Sequence, residues 1–408
     1  MWSARPVGAG FSPLDEALEL IPGQFSPFLV QCIVRLGTLI PFEQVPELLV
    51  FLTGVQVSIE TVRRITEQAG AAQVGAAQVA IEEREVDRLE RELPAVPEGP
   101  AEQQVSADGI MIPLVHGEWA KARMVAIGTL VPDRPDDDAP HAQDITCFSR
   151  LASAHDFIRQ ATLPFYARGI ARAETVVTIT DGADWLKQLI DAHCPEAIRI
   201  LDFPHAVEYL AKVAQAAFGA GTREASVWLD EWAPRLKTKD PSEVLAAIRG
   251  LPMPDAAAVE VRAQVLSYLS KRRSQIAYAQ FQAAGCPIGS GMVESANKLV
   301  VQARQKGSGM HWARKNVTPM LALRGMAYSG QWETAWPGIW QELRSRDAAK
   351  RCQRRAARRT KQEAARIEGA DQTPETSSTP TVTDEPLAAS HPSYTGDVQP
   401  LLATAAKL

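Results

Sequence analysis

The spacing of apolar residues along the chain changes twice. From Phe42 to Thr53 they recur at helical intervals and stop at Gly54, and Ser58 then caps a second helical pattern from Ile59 to Gln68. A third helix, of mixed charge, is expected over 74–92. Two short helices joined by Gly-Val-Gln-Val-Ser have the layout of a helix-turn-helix, with Arg63 and Arg64 on the second, where a recognition helix carries positive charge. An ordinary αα-hairpin has the same pattern. Residues 1–96 thus read as a helical N-terminal region, and Pro94, Pro97, Gly99 and Pro100 place a linker near 93–102.

Beyond the linker the period shortens to that of strands. Val105–Leu114, Arg123–Val131 and Asp144–Leu151 are three extended runs, and Ser153–Ile170 returns to helical spacing. The β-branched run Thr175–Thr180, a helix at Asp184–His193, a strand at Ile198–Phe203 and a helix at Ala206–Phe218 follow. The order β-β-β-α-β-α-β-α predicts an α/β fold: a ribonuclease-H-like mixed sheet with helices. Ser226–Ala284 reads as helical, so an insertion of about 220–285 precedes the last element, and 287–330 is a Gly-Ser-Gly turn followed by helices. The expected division is 1–96 helical, 97–340 a ribonuclease-H-like domain with its insertion, and 341–408 a basic helix and tail. From about residue 368 that tail is too rich in Thr, Pro and Ser to support a core.

Charge sharpens this division. The chain of 408 residues has a net charge of −5, yet Lys298–Arg366 alone carries +12, leaving −17 for the rest. Such segregation suggests a polyanion partner for the C-terminal third, although a solvated basic helix has the same composition. No apolar run approaches the length that spans a bilayer, and no signal-peptide pattern opens the chain, so a cytoplasmic protein without a membrane partner is expected. The five cysteines are scattered singly, which argues against a disulfide framework and a structural zinc site.

Three carboxylates stand out by position. Asp108 lies on the first expected strand, Asp181 ends the fourth and is followed by Gly182, and Glu294 opens the helix after Gly289-Ser290-Gly291. Each has a plainer reading: Asp-Gly is a common hairpin turn, and a carboxylate is favoured in a helix's first turn. Together, two acids on neighbouring strands and a third on a later helix form a set that can hold hard divalent cations. Phosphodiester chemistry uses two such ions about 4 Å apart, one at the nucleophile and one at the leaving 3′ oxygen. Asp202, at the end of the next strand, is the rival to Asp181. Lys298 falls four residues after Glu294, on the same helical face, and Arg304, Lys306 and Arg314 extend a basic track with His311 and Trp312, which could stack on a base. A tryptophan in an apolar helical stretch is otherwise a core residue.

The segments TITDGADWLKQLIDAH, IRILDFPHAVEYLA and CPIGSGMVESANKLVVQARQKGSGMHWARKNVTPMLALR resemble bacterial insertion-sequence transposases of the ISKra type, related to the Mutator superfamily. The resemblance covers roughly residues 12–340. It implies a DDE transposase with Asp108, Asp181 and Glu294 as catalytic metal ligands for Mg2+ or Mn2+. It also implies a Cys-or-Asp-x-x-His motif, matched by Asp202-Phe-Pro-His205, which adds His205 to the candidate catalytic residues. His205 could equally be a satisfied histidine at a helix start. The expected activity is strand cleavage and transfer at the inverted repeats of the element, on target DNA, by a homo-oligomer without a small-molecule substrate. A nuclease of the same fold, or a DNA-binding regulator derived from a transposase, are the alternatives.

Overall fold

A computed structural model describes residues 25–90, 95–131, 140–307 and 309–370. The expected tail beyond Ala370 lies outside them. The chain divides into one unit ending at Lys350 and a second from Arg351.

The first unit begins with helices α1 (Pro27–Leu39), α2 (Val45–Thr53) and α3 (Ile59–Glu90). α2 stops at Gly54, whose φ of 70° supplies the left-handed turn, and the Ser58 hydroxyl accepts from the Thr61 N–H at 3.2 Å to start α3. The expected break after Gln68 does not occur. α3 continues for 32 residues, so a short recognition helix is replaced by one long rod. Gly70 lies inside it because the backbone of Pro319 packs there: a Cβ at Gly70 would lie 2.6 Å from the Pro319 carbonyl oxygen.

A five-stranded mixed sheet follows, built from β1 (Glu102–Pro113), β2 (Trp119–Val131), β3 (His141–Arg150), β4 (Thr175–Thr180) and β5 (Ile198–Leu201) in the order β3-β2-β1-β4-β5. β1, β2 and β3 are antiparallel neighbours, while β4 lies parallel to β1 and β5 parallel to β4. Alternation along β1 sorts the two faces. Val105 and Ala107 pack with Phe157 and Phe165 of α4 (Ala154–Ala167) and Leu186 and Leu189 of α5 (Asp184–His193). Ile110 and Ile112 face the other way, toward Val293, Val300 and Met320. These belong to α11 (Gly291–Ala296), the π-helical turn Asn297–Gln302 and α13 (Arg314–Tyr328).

After β5 come α6 (Phe203–Phe218) and the expected helical insertion, with α7 (Arg223–Thr238), α8 (Pro241–Gly250), α9 (Ala256–Lys271) and α10 (Tyr278–Ala283). Its apolar sides join Ile179 and Ile200 of the sheet in one core. The single turn α12 (Ala303–Gln305) leads toward α13, and α14 (Trp332–Ala370) closes the described chain. Val34, Leu49 and Ile65 of the first three helices share a core with Leu323, Trp336 and Ile339 of α13 and α14. No described helix is long and apolar enough to cross a membrane, and all five cysteines are free thiols.

Candidate active site

The sheet register brings two of the acids side by side. The last bonded pair between β1 and β4 is Ser106 with Ile179, and Asp108 and Asp181 each stand two residues further on. Residues two apart on a strand share a face, so the register carries Asp108 and Asp181 to the same side of neighbouring chains, where the Asp181 charge acts on the Asp108 carboxyl. Asp108-Gly109 is not a hairpin turn: it lies within β1, opposite Met124 and Arg123 of β2. Asp181-Gly182 is a turn, with Gly182 at φ 76° and the Ala183 N–H donating to Asp181 Oδ1 at 2.9 Å.

Glu294 approaches from above that face. α11 packs on β1 and β2 through Met292 and Val293, and Asn297, one turn past Glu294, donates from Nδ2 to Asp108 Oδ2 at 2.9 Å. The other Asp108 oxygen accepts the Gly109 N–H at 2.6 Å. Burial pushes the Asp108 carboxyl above its ordinary value; the Gly109 N–H opposes this, the charges of Asp181 and Glu294 add to it, and Lys121 counteracts them. Asn297 is 3% exposed, and its Oδ1 has no hydrogen-bond partner among the described residues. Sequence reasoning passed over this residue. Its signal was a weak helix former inside the GSGMVESANK segment, three positions after an acid.

The rival acid, Asp202, caps a helix and holds a turn. Asp202 is 6% exposed; Oδ2 caps α6 by accepting the His205 N–H at 3.2 Å, and Oδ1 accepts the Ser290 N–H at 2.7 Å. Through these two backbone bonds Asp202 joins β5, α6 and the Gly-Ser-Gly turn. Burial raises its carboxyl too; the Ser290 and His205 N–H donors and the Ser290 hydroxyl oppose this, and the nearby charge of Glu294 adds to it. By contrast Asp181 is half-buried, and its Oδ2 takes no hydrogen bond among the described residues. Glu294 is exposed and accepts from Ser290 Oγ at 3.2 Å.

His205 sits at the start of α6, its Nδ1 3.2 Å from Glu208 Oε2. Its ring lies 6.3 Å from that of Tyr268, which stacks on Tyr209 at 4.0 Å and donates its hydroxyl to the Asp181 carbonyl at 2.8 Å. Arg272 lies over Tyr268 and donates to the Gly182 carbonyl at 2.9 Å. The insertion therefore grips the backbone of the Asp181 turn, a connection that no local pattern predicts. His205 makes no hydrogen bond or ion pair with the three acids among the described residues.

The basic candidates divide. Arg64, Lys298 and Lys306 are exposed, Arg63 pairs with Glu60 at 3.3 Å, and Arg314 pairs with Glu118 at 3.3 Å. Arg304 does not belong on a DNA-facing surface. It is 2% exposed, donates to the Gly37 carbonyl at the end of α1, and lies between the Phe42 and Trp312 rings. Burial lowers its guanidinium to about 10. Trp312 is a core residue at 8% exposure, its backbone bridging to Leu114, so it is no platform for a base.

Carboxylate oxygens are the donors that magnesium and manganese prefer, and a half-buried Asp108 that feels the charges of Asp181 and Glu294 suits a divalent cation. As they stand, no three His, Cys, Asp or Glu side chains among the described residues form a group able to hold a metal ion. Glu294 is held by the Ser290 hydroxyl instead. Against known proteins, the sequence matches no family model and no curated protein.

Proposed function

We propose that this chain is a DDE-type DNA transposase with a ribonuclease-H-like catalytic core. The observation that carries the reading is the placement of Asp108 and Asp181 in register beyond the parallel pairing of β1 and β4, beneath the helix that bears Glu294. The strand order, with three antiparallel strands and two parallel ones added beside β1, supports the same core. The resemblance of the TITDGADW and GSGMVES segments to insertion-sequence transposases points to the same residues.

Asp108 and Asp181 would hold a magnesium or manganese ion, with Glu294 as the third ligand once it turns from Ser290. Such an ion supplies an activated nucleophile at neutral pH and takes up charge on the leaving 3′ oxygen. The chain's own groups prepare the site. Asn297 and the Gly109 N–H fix the Asp108 carboxylate, Tyr268 and Arg272 fix the turn that aims Asp181, and Asp202 anchors the loop from which α11 springs. Exposed Lys298, one turn beyond Glu294, is placed to meet a backbone phosphate. Water attacks first and frees a 3′-OH, which then attacks target DNA.

The test is strand cleavage and joining on DNA carrying the ends of the element, with Mg2+. Both activities are expected in the wild type. Cleavage without joining would assign a nuclease, and binding without cleavage a regulator.

A further inference from the structure

The second unit presents a single-sided basic face, and we infer that this face binds duplex DNA through its phosphates, independently of base sequence. The inference rests on the DNA reading above but concerns a surface with no part in the acid cluster. From Arg351 to Glu363 the chain is continuous helix and every side chain is exposed. At 3.6 residues per turn, Arg351, Arg354, Arg355, Arg358 and Arg359 fall on one side of the helix, spaced i, i+3, i+4, i+7 and i+8, with Lys361 at its flank. Gln353, Ala356 and Thr360 occupy the opposite side. Arg354, Arg355, Arg358, Arg359 and Lys361 make no ion pair among the described residues, and Glu363 is the one acid of the stretch.

An ordinary solvated helix alternates its charges and pairs them at i, i+4. This one gathers like charges on one side, where they repel one another by a few tenths of a kcal/mol per pair. A dense row of phosphates offsets that repulsion, and the planar guanidinium fork suits phosphate oxygens. The remaining sides argue against a lipid surface. A helix lying in a membrane interface needs Trp, Phe or Leu beside its basic face, and between Arg351 and Glu363 there is none.

The experiment uses the full chain and a labelled duplex of random sequence, with the dissociation constant followed across salt concentrations. Cleavage is not read, so loss of the catalytic reading and loss of this inference are distinguishable. In a variant with Arg354, Arg355, Arg358 and Arg359 all changed to Gln, the slope of log K against log salt is expected to flatten by about 3.6 if each residue meets a phosphate. A second variant, Arg354→Ala, Arg358→Thr, Ala356→Arg and Thr360→Arg, keeps the charge but splits it between opposite sides. Its slope should flatten by about 1.8, since two contacts are lost. Unchanged slope and affinity in the glutamine variant would overturn the inference. Wild-type behaviour in the rearranged variant would overturn the single-face geometry. Vesicles containing phosphatidylserine that bind the chain as tightly as the duplex, and lose it equally in the glutamine variant, would overturn the assignment to DNA.

Discussion

Arg324 is the fully buried cation that ties the candidate site to the N-terminal helices, and replacing it with methionine should loosen both. Its Nε donates to the Val300 carbonyl at 2.6 Å and its Nη1 to the Thr38 carbonyl at 2.7 Å; Nη2 reaches the Leu299 carbonyl and, at 3.4 Å, the Tyr328 hydroxyl. Thr38 lies in the last turn of α1, where carbonyls lack partners within the helix, while Leu299 and Val300 belong to the π turn that follows Asn297. Methionine fills similar space but donates nothing. The three bonds to carbonyls, each from a charged donor, contribute about 1.5–3 kcal/mol each, or roughly 4.5–9 kcal/mol together. Removing a buried charge returns several kcal/mol of desolvation, so a net loss of about 2–4 kcal/mol is expected. In a urea titration followed by tryptophan fluorescence, that is a midpoint lowered by about 1 M for a slope of about 3 kcal/mol/M. Arg324→Lys should lose at least as much, because one ammonium keeps the desolvation cost without spanning all the carbonyls. A methionine variant within about 0.3 M of wild type would refute the assignment of Arg324 as the clamp.

Other positions give separate tests. Asn297→Ala leaves Asp108 Oδ2 without its donor, and the Mg2+ concentration for half-maximal cleavage should rise about 10–100-fold with the fold intact by circular dichroism. Asp108→Asn should abolish cleavage yet raise the melting temperature at neutral pH. The folded-state pKa of Asp108 is raised, so the native state holds the proton more tightly than the unfolded chain; wild-type stability falls as pH climbs from the ordinary carboxylate value through the raised one. The advantage of the Asn variant should therefore be full above that window and vanish below it, and thermal melts across acidic pH will show whether it does. Gly182→Ala forces a side chain onto φ 76° and sets its Cβ 2.8 Å from Arg272 Nε and the Tyr268 hydroxyl. A loss of about 1–2 kcal/mol in denaturant titration, with a larger fall in cleavage, is expected.

How much of this was legible in the sequence depends on whether the information was local. The strands were, because alternation along Val105–Leu114 and the β-branched run Thr175–Thr180 are written in consecutive residues. The three acids could be picked out by their places, Asp108 within the first strand, Asp181 at the end of the fourth and Glu294 near the start of a helix. What escaped depends on partners distant in the chain. Ala69–Gln73 looks like an interruption until Pro319 is seen packing on Gly70, so one rod was read as two helices. Arg304 looks like part of a basic track because Lys298 and Lys306 near it are exposed, whereas the Gly37 carbonyl that it bonds lies 267 residues earlier. Asn297 and Tyr268 gain their importance only when the chain returns to Asp108 and Asp181.

The central claim is that Asp181, rather than Asp202, completes the reactive carboxylate set with Asp108 and Glu294. The decisive measurement is Mg2+-dependent strand cleavage on element-end DNA by Asp181→Asn and Asp202→Asn, each at a temperature where it is fully folded. Asp181→Asn should be folded and inactive. Asp202→Asn should be less stable, because both of its donors are fixed backbone N–H groups and one would face an amide N–H, yet it should retain measurable cleavage. At Asp108, by contrast, the Asn297 side chain can flip its free Oδ1 toward a new amide. Cleavage surviving in Asp181→Asn and lost in folded Asp202→Asn would contradict the assignment and move the site to the end of β5.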